Sequence, residues 1–117
     1  MTAPGPFRYG PLVRWLLRSL EPPVRRRTRT PRRFYPPSGV VHDVRLVLEQ
    51  FNDAGGKWEE CIQLANGLDL IRVKVRSPVV PLLRFPLGAQ LAGQAAHERR
   101  HLWQAQQVKA DLEFPVS

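Results

Sequence analysis

The stretch "LGAQLAGQAAHERRHLWQAQQVKADL", residues 87–112, decides the fold. At 100° per residue its apolar positions gather on an arc centred on Leu91, Ala95, Leu102 and Ala105, which reads as one long amphipathic helix. His97 and His101 fall on the shoulder of that arc, in line with Gln90, Gln94, Gln104 and Val108. Both imidazoles are therefore expected to face a partly buried, polar-lined groove. Together with Glu98 they spell H-E-x-x-H.

Working outward, residues 40–66 form the second long periodic segment. Val40, Val44, Val47, Phe51, Trp58, Cys61 and Ala65 recur at near-helical spacing, with Ser38 as the expected N-cap and Asn66-Gly67 as the stop. Gly55-Gly56 is the place where this helix would loosen or break. Between the two helices, "LIRVKVRSP" alternates apolar and basic residues and reads as a short β-like segment. Pro78, Pro81 and Pro86 predict an irregular course up to the last helix. Near the N-terminus, "GPLVRWLLRSL" at 10–20 has room for about three helical turns before Pro22-Pro23 ends them.

The net charge of +8 is unevenly spread. Residues 1–38 carry nine arginines, one acid (Glu21) and eight of the 12 prolines, whereas residues 39–117 balance nine Lys/Arg against nine Asp/Glu. The expected organisation is thus a basic, proline-rich segment with a short helix over 1–38 and a helical pair over 39–117 with an irregular linker at 67–86. No run of apolar residues is long enough for a membrane span. The N-terminus lacks a charged region followed by a clean apolar core, so it is a poor signal peptide. The single cysteine, Cys61, cannot make an internal disulfide, and a reduced, cytoplasmic setting fits it best.

Two histidines four residues apart on a helix project from one face about 6 Å apart, close enough to share a divalent ion. A five-residue pattern with three defined positions also arises by chance, and a pair of solvated or core-edge histidines, or two partly buried ones bonded to glutamines, gives the same letters. A zinc-protease site is a poorer fit. Its extended pattern needs Gly and His where Gln104 and Gln107 stand, and no later helix offers a glutamate ligand. Glu98 reads as a surface or ion-pairing residue in preference to a catalytic base.

The segment "AHERRHLWQAQQVKADLEFP", residues 96–115, closely resembles the C-terminal helix of the DinB/YfiT-like superfamily of metal-binding four-helix bundles, including its closing phenylalanine-proline pair, Phe114-Pro115. "LEPPVRRRTRTPRRFYPP" is similar to the family's long crossover after its second helix, and "LANGLDLIRVKVRSPVVPLLRFPLG" to its linker between helices three and four. The resemblance extends over residues 6–115. It implies a mainly α fold, a DinB-like helical bundle shortened at its N-terminus, with a long proline- and arginine-rich crossover. It also implies a divalent metal, zinc or nickel, held by three histidines, of which His97 and His101 map onto two.

The third family histidine falls in a region that would precede residue 1. Only half a tetrahedral shell then comes from these two residues. His42, the one other histidine, is a candidate substitute ligand, although a solvated helix-start residue beside Asp43 explains it as well. The class of chemistry implied is that of metal-dependent hydrolases or thiol transferases acting on a small-molecule substrate, with no catalytic residue assigned. Because two amphipathic helices cannot bury both their faces, the expectation is either a homo-oligomer or partner chain that completes the bundle or a marginal, partly open domain. Trp15, Phe51, Trp58 and Leu102 are the expected core, and Trp103 is a candidate interface residue.

The alternative is a non-catalytic module that binds nucleic acid or another anionic surface through Arg25, Arg26, Arg27, Arg29, Arg32 and Arg33, with Phe34 and Tyr35 available to stack on bases. A solvated connector accounts for the same arginines. A membrane-surface role for Trp15, Leu16 and Leu20 is the third reading.

Overall fold

A computed structural model of the chain describes residues 5–26 and 28–115. It is mainly helical: α1 (Pro11–Leu20), a 3-10 turn (Arg32–Phe34), α2 (Val44–Ala65), strands β1 (Lys74–Arg76) and β2 (Arg84–Pro86), and α3 (Leu87–Lys109). Among the described residues no helix is long and apolar enough to cross a membrane. The chain forms two compact units, one from Met1–Arg25 with Gly67–Ser117 and the other from Arg26–Asn66.

In the first unit, α1 packs on α3. Pro11 opens α1, where its missing N–H costs nothing, and Pro22 follows its end. A Cβ added at Gly93 would lie 3.6 Å from Leu17 Cδ2 and 4.0 Å from Leu20 Cδ1, so these leucines rest directly on the α3 backbone. Tyr9 packs against Gly88, Leu17 against Gly93, and Glu21 pairs with Arg99. The contact points rise together along both helices, so α1 runs parallel to α3. Parallel neighbours cannot be joined by a tight turn, which is why the intervening chain is long.

The start of α3 is built without a side-chain cap. Instead, Leu87 N–H donates to the Val73 carbonyl at 2.8 Å and Gly88 N–H to the Leu70 carbonyl at 2.9 Å. Two of the orphan donors that every helix N-terminus carries are thereby satisfied by the preceding loop. That loop is shaped locally. Gly67 takes φ 84°, the left-handed region that favours glycine. Asp69 Oδ1 then accepts from Ile71 N–H at 3.1 Å and Arg72 N–H at 3.0 Å.

β1 and β2 pair antiparallel, with Val75 opposite Phe85. Ser77 closes the hairpin: its N–H donates to the Leu83 carbonyl at 2.8 Å. Its buried hydroxyl accepts from Val79 N–H at 3.2 Å and Val80 N–H at 3.1 Å. The expected irregular course over 78–86 is therefore corrected at its end. Pro86 lies on an edge strand of a two-stranded sheet, where a missing donor is tolerated.

The second unit contains α2. Its N-cap is Asp43, not Ser38: Asp43 Oδ1 accepts from Arg45 N–H at 2.9 Å and Leu46 N–H at 3.4 Å. The helix thus starts at Val44 instead of Val40, and it continues unbroken through Gly55-Gly56. A carboxylate bonded to the first-turn amides also meets the positive end of the helix dipole, which favours Asp43 over a serine further upstream.

The expected core is wrong in three of four positions. Phe51 is 65% exposed, Leu102 61% and Trp15 60%, while Trp58 is half-buried. Among the described residues the buried apolar side chains are alanines: Ala65, Ala89 and Ala96. On α3 the packed stripe runs through Gly88, Ala89, Gly93 and Ala96, roughly a third of a turn from the arc centred on Leu91 and Leu102. Small residues let α1 approach the α3 backbone, and that burial is invisible to a pattern weighted by large side chains. Trp103 lies on the packed side and is half-buried.

Candidate metal-binding pair

His97 and His101 stand one helical turn apart on α3, and both are exposed. The partly buried groove expected around them is corrected: the packed stripe faces elsewhere. Their Nε2 atoms are 2.9 Å apart, and the rings meet edge to face, with centroids 4.4 Å apart at 86°. His101 Nδ1 lies 2.9 Å from Gln104 Oε1. A carboxamide oxygen can only accept, so Nδ1 carries the proton and His101 Nε2 presents its lone pair. His97 Nε2–H fills that lone pair.

Partial desolvation of the ring, followed by the charges of His101 and Arg100 and opposed by Glu98, lowers the pKa of His97 from its ordinary value. Its neutral form is therefore favoured relative to an ordinary histidine, and neutral imidazole is the form that ligates metals.

The pair can be tested against a transition metal by donor chemistry and spacing. Two metal–nitrogen bonds of about 2.0–2.1 Å span about 2.9 Å at a right angle and roughly 3.3 Å at the tetrahedral angle. The observed 2.9 Å falls in that range but is spanned by a hydrogen bond, so both rings would turn and His97 Nε2 would give up its proton before the two nitrogens faced one ion. Gln104 does for His101 what an outer-shell acceptor does in metal sites, holding the ring and its tautomer. The donor set fits, but it supplies two ligands. Among the described residues no group of three or more His, Cys, Asp or Glu side chains comes together to hold an ion.

Neighbouring residues have other tasks. Glu98 is exposed on the flank of the pair. Arg99 Nε donates to Glu21 Oε2 at 3.0 Å, and a second bond from Arg99 Nη2 to Glu21 Oε1 makes the pair bidentate. That hydrogen bonding lowers the Glu21 pKa and raises that of Arg99. A carboxyl whose folded pKa is depressed stabilises the fold above its unfolded value and loses that contribution as the pH falls through the folded one. Acid titration of wild type is expected to show a component below the ordinary glutamate range that Glu21→Gln removes. Circular dichroism of the two proteins side by side measures it.

His42 is exposed, one residue before the Asp43 cap, in the unit that contains α2. Of the arginine cluster, Arg25, Arg26, Arg29, Arg32 and Arg33 are exposed, and Arg27 lies outside the described residues. Arg32 and Arg33 are in the 3-10 turn that the expected extended connector did not include. The Arg33 guanidinium lies over the Phe34 ring at 4.9 Å, so one face of that ring is taken by a cation from its own chain. Cys61 is a free, exposed thiol on α2. The glutamines in line with the histidines include the actual partner, Gln104, and the i,i+3 spacing on a helix singles it out.

Compared with known protein families, characterised proteins and solved structures, the chain matches none of them.

Proposed function

We propose that this protein is a DinB-like helical domain that binds a divalent metal, zinc or nickel, through His97 and His101 on α3. The observation that carries the reading is the approach of the two Nε2 atoms to 2.9 Å, with His101 Nδ1 held by Gln104. An i,i+4 pair on a rigid helix is preorganised, so little conformational entropy is lost when both rings turn to one ion.

Two protein ligands leave positions for water, a substrate atom or a ligand from another chain. A metal bound with open positions would supply Lewis acidity, activating water or a thiol. The chain's own part is to hold two imidazoles one helical turn apart and to set the His101 tautomer through Gln104; His97 would ligate through Nε2 once the proton it shares with His101 has moved to its Nδ1. No residue near the pair is assigned as acid, base or nucleophile.

The test is a calorimetric titration of the purified protein with zinc and with nickel, beside the double variant His97→Ala/His101→Ala. Saturable binding in wild type and none in the double variant is expected. Equal binding by both proteins would place the metal elsewhere, and no binding by either would end the proposal.

A further inference from the structure

The β1–β2 hairpin ends in an apolar tip above a basic collar. Arg76 and Arg84 stand directly opposite each other in the register, and Lys74 is two residues below Arg76. Side chains two apart on a strand share a face, as do those of opposed residues, so the three cations lie on one face of the hairpin. All three are exposed, while Val75 and Phe85 on the other face are half-buried. Like charges placed opposite one another repel. Residues 70–97 contain four Lys/Arg and no Asp or Glu to relieve them. Among the described residues none of the three cations makes an ion pair. Beyond the collar, Val79, Val80, Leu82 and Leu83 are exposed, Leu82 at 95%. The backbone there is nearly free of open donors. Pro78 and Pro81 have no N–H, those of Val79 and Val80 are bonded to the Ser77 hydroxyl, and that of Leu83 donates to the Val80 carbonyl at 2.9 Å. Of residues 78–83 only Leu82 keeps an unbonded N–H. A segment that leaves water for hydrocarbon must satisfy its backbone donors internally, and this one all but does.

We propose that this tip inserts Leu82 and its apolar neighbours into an anionic lipid surface, with Lys74, Arg76 and Arg84 on the headgroups. Apolar insertion and a basic patch are the two signals that together hold a protein on a membrane. Net charge argues against the other occupants. The unit that contains α2 holds seven Lys/Arg and five Asp/Glu over residues 26–66, and a second copy of the chain carries the same +8. Each would meet the collar with a net charge of its own sign. A nucleic acid would match the cations but leave the leucines in water.

The test is flotation with vesicles of phosphatidylcholine alone and of phosphatidylcholine with phosphatidylserine. Wild type is expected to bind only the anionic vesicles. Arg76→Gln/Arg84→Gln should weaken that binding about 10–30-fold, at roughly fivefold per cation near the surface. Leu82→Asn should weaken it about tenfold. Arg32→Gln/Arg33→Gln, with the same loss of charge in the other unit, should change it far less. Every substituted position is exposed, and melting curves by circular dichroism verify that each variant is folded. Leu82→Cys/Cys61→Ser, labelled with an environment-sensitive dye, should emit as in water until anionic vesicles are added and then shift to the blue. A dye already blue-shifted without vesicles would mean that the chain covers its own tip, which overturns the proposal. So does a wild type that stays off anionic vesicles, an equal loss in the two arginine pairs, or full binding by Leu82→Asn.

Discussion

Gly88→Ala is expected to lower the urea midpoint of the α1–α3 unit, at a cost of about 1–3 kcal/mol for forcing a methyl into a packed site. A Cβ at Gly88 would collide with the Tyr9 hydroxyl, lie 2.9 Å from Leu70 Cβ and 3.1 Å from Tyr9 Cζ. Leu70 cannot easily retreat, because its carbonyl accepts the Gly88 N–H. Burial raises the Tyr9 pKa, in keeping with a ring pressed into this contact. The helix-propensity gain of alanine over glycine is about 1 kcal/mol in a helix interior and smaller at a helix start, so the collision wins.

Three further variants isolate the cause. Tyr9→Phe removes the colliding oxygen, and the double variant Tyr9→Phe/Gly88→Ala should recover part of the loss, a coupling that independent sites would not show. Gly56→Ala, in the exposed middle of α2 with nothing within 4 Å of its added methyl, should shift stability the other way. Urea titrations followed by circular dichroism measure all four proteins.

The second large effect concerns the imidazole pair. His101→Ala should abolish saturable zinc binding, since one exposed histidine is an ordinary surface ligand. Gln104→Leu should weaken it by about 10–100-fold, the usual consequence of deleting an outer-shell partner. The leucine keeps helix propensity and volume but cannot accept the proton of His101 Nδ1. Gln107→Leu, an exposed glutamine with no part in the pair, is the matched control. Competition titrations against a zinc indicator dye give the ratios. An unchanged affinity in Gln104→Leu would mean that the His101 tautomer is not set by its neighbour.

Much of this architecture was legible in the residues. Both long helices, the short helix ended by Pro22-Pro23, the Gly67 stop and a β-like segment within 70–78 follow from period and punctuation; the strand itself is confined to Lys74–Arg76. Two kinds of information were not. Burial on α3 belongs to Gly88, Ala89, Gly93 and Ala96, because close approach of backbones needs small side chains. A search for large apolar residues points to Leu102 and Trp15, which are exposed. The cap of α2 was misplaced because Ser38 and Asp43 both satisfy the composition rule, and only the chain's path decides between them. His97 and His101 were identifiable as a pair from spacing alone. Their position relative to the packed face was not, since it depends on which stripe α1 covers.

The most direct measurement is a long-range nitrogen–proton NMR spectrum of the three histidine side chains, recorded before and after one equivalent of zinc at neutral pH. The expected result is a shift of both the His97 and His101 Nε2 resonances to the range of metal-bound imidazole, with His101 Nδ1 still protonated against Gln104 and His42 less affected. Resonances of His97 and His101 that do not move, or that move less than those of His42, would contradict the proposed site.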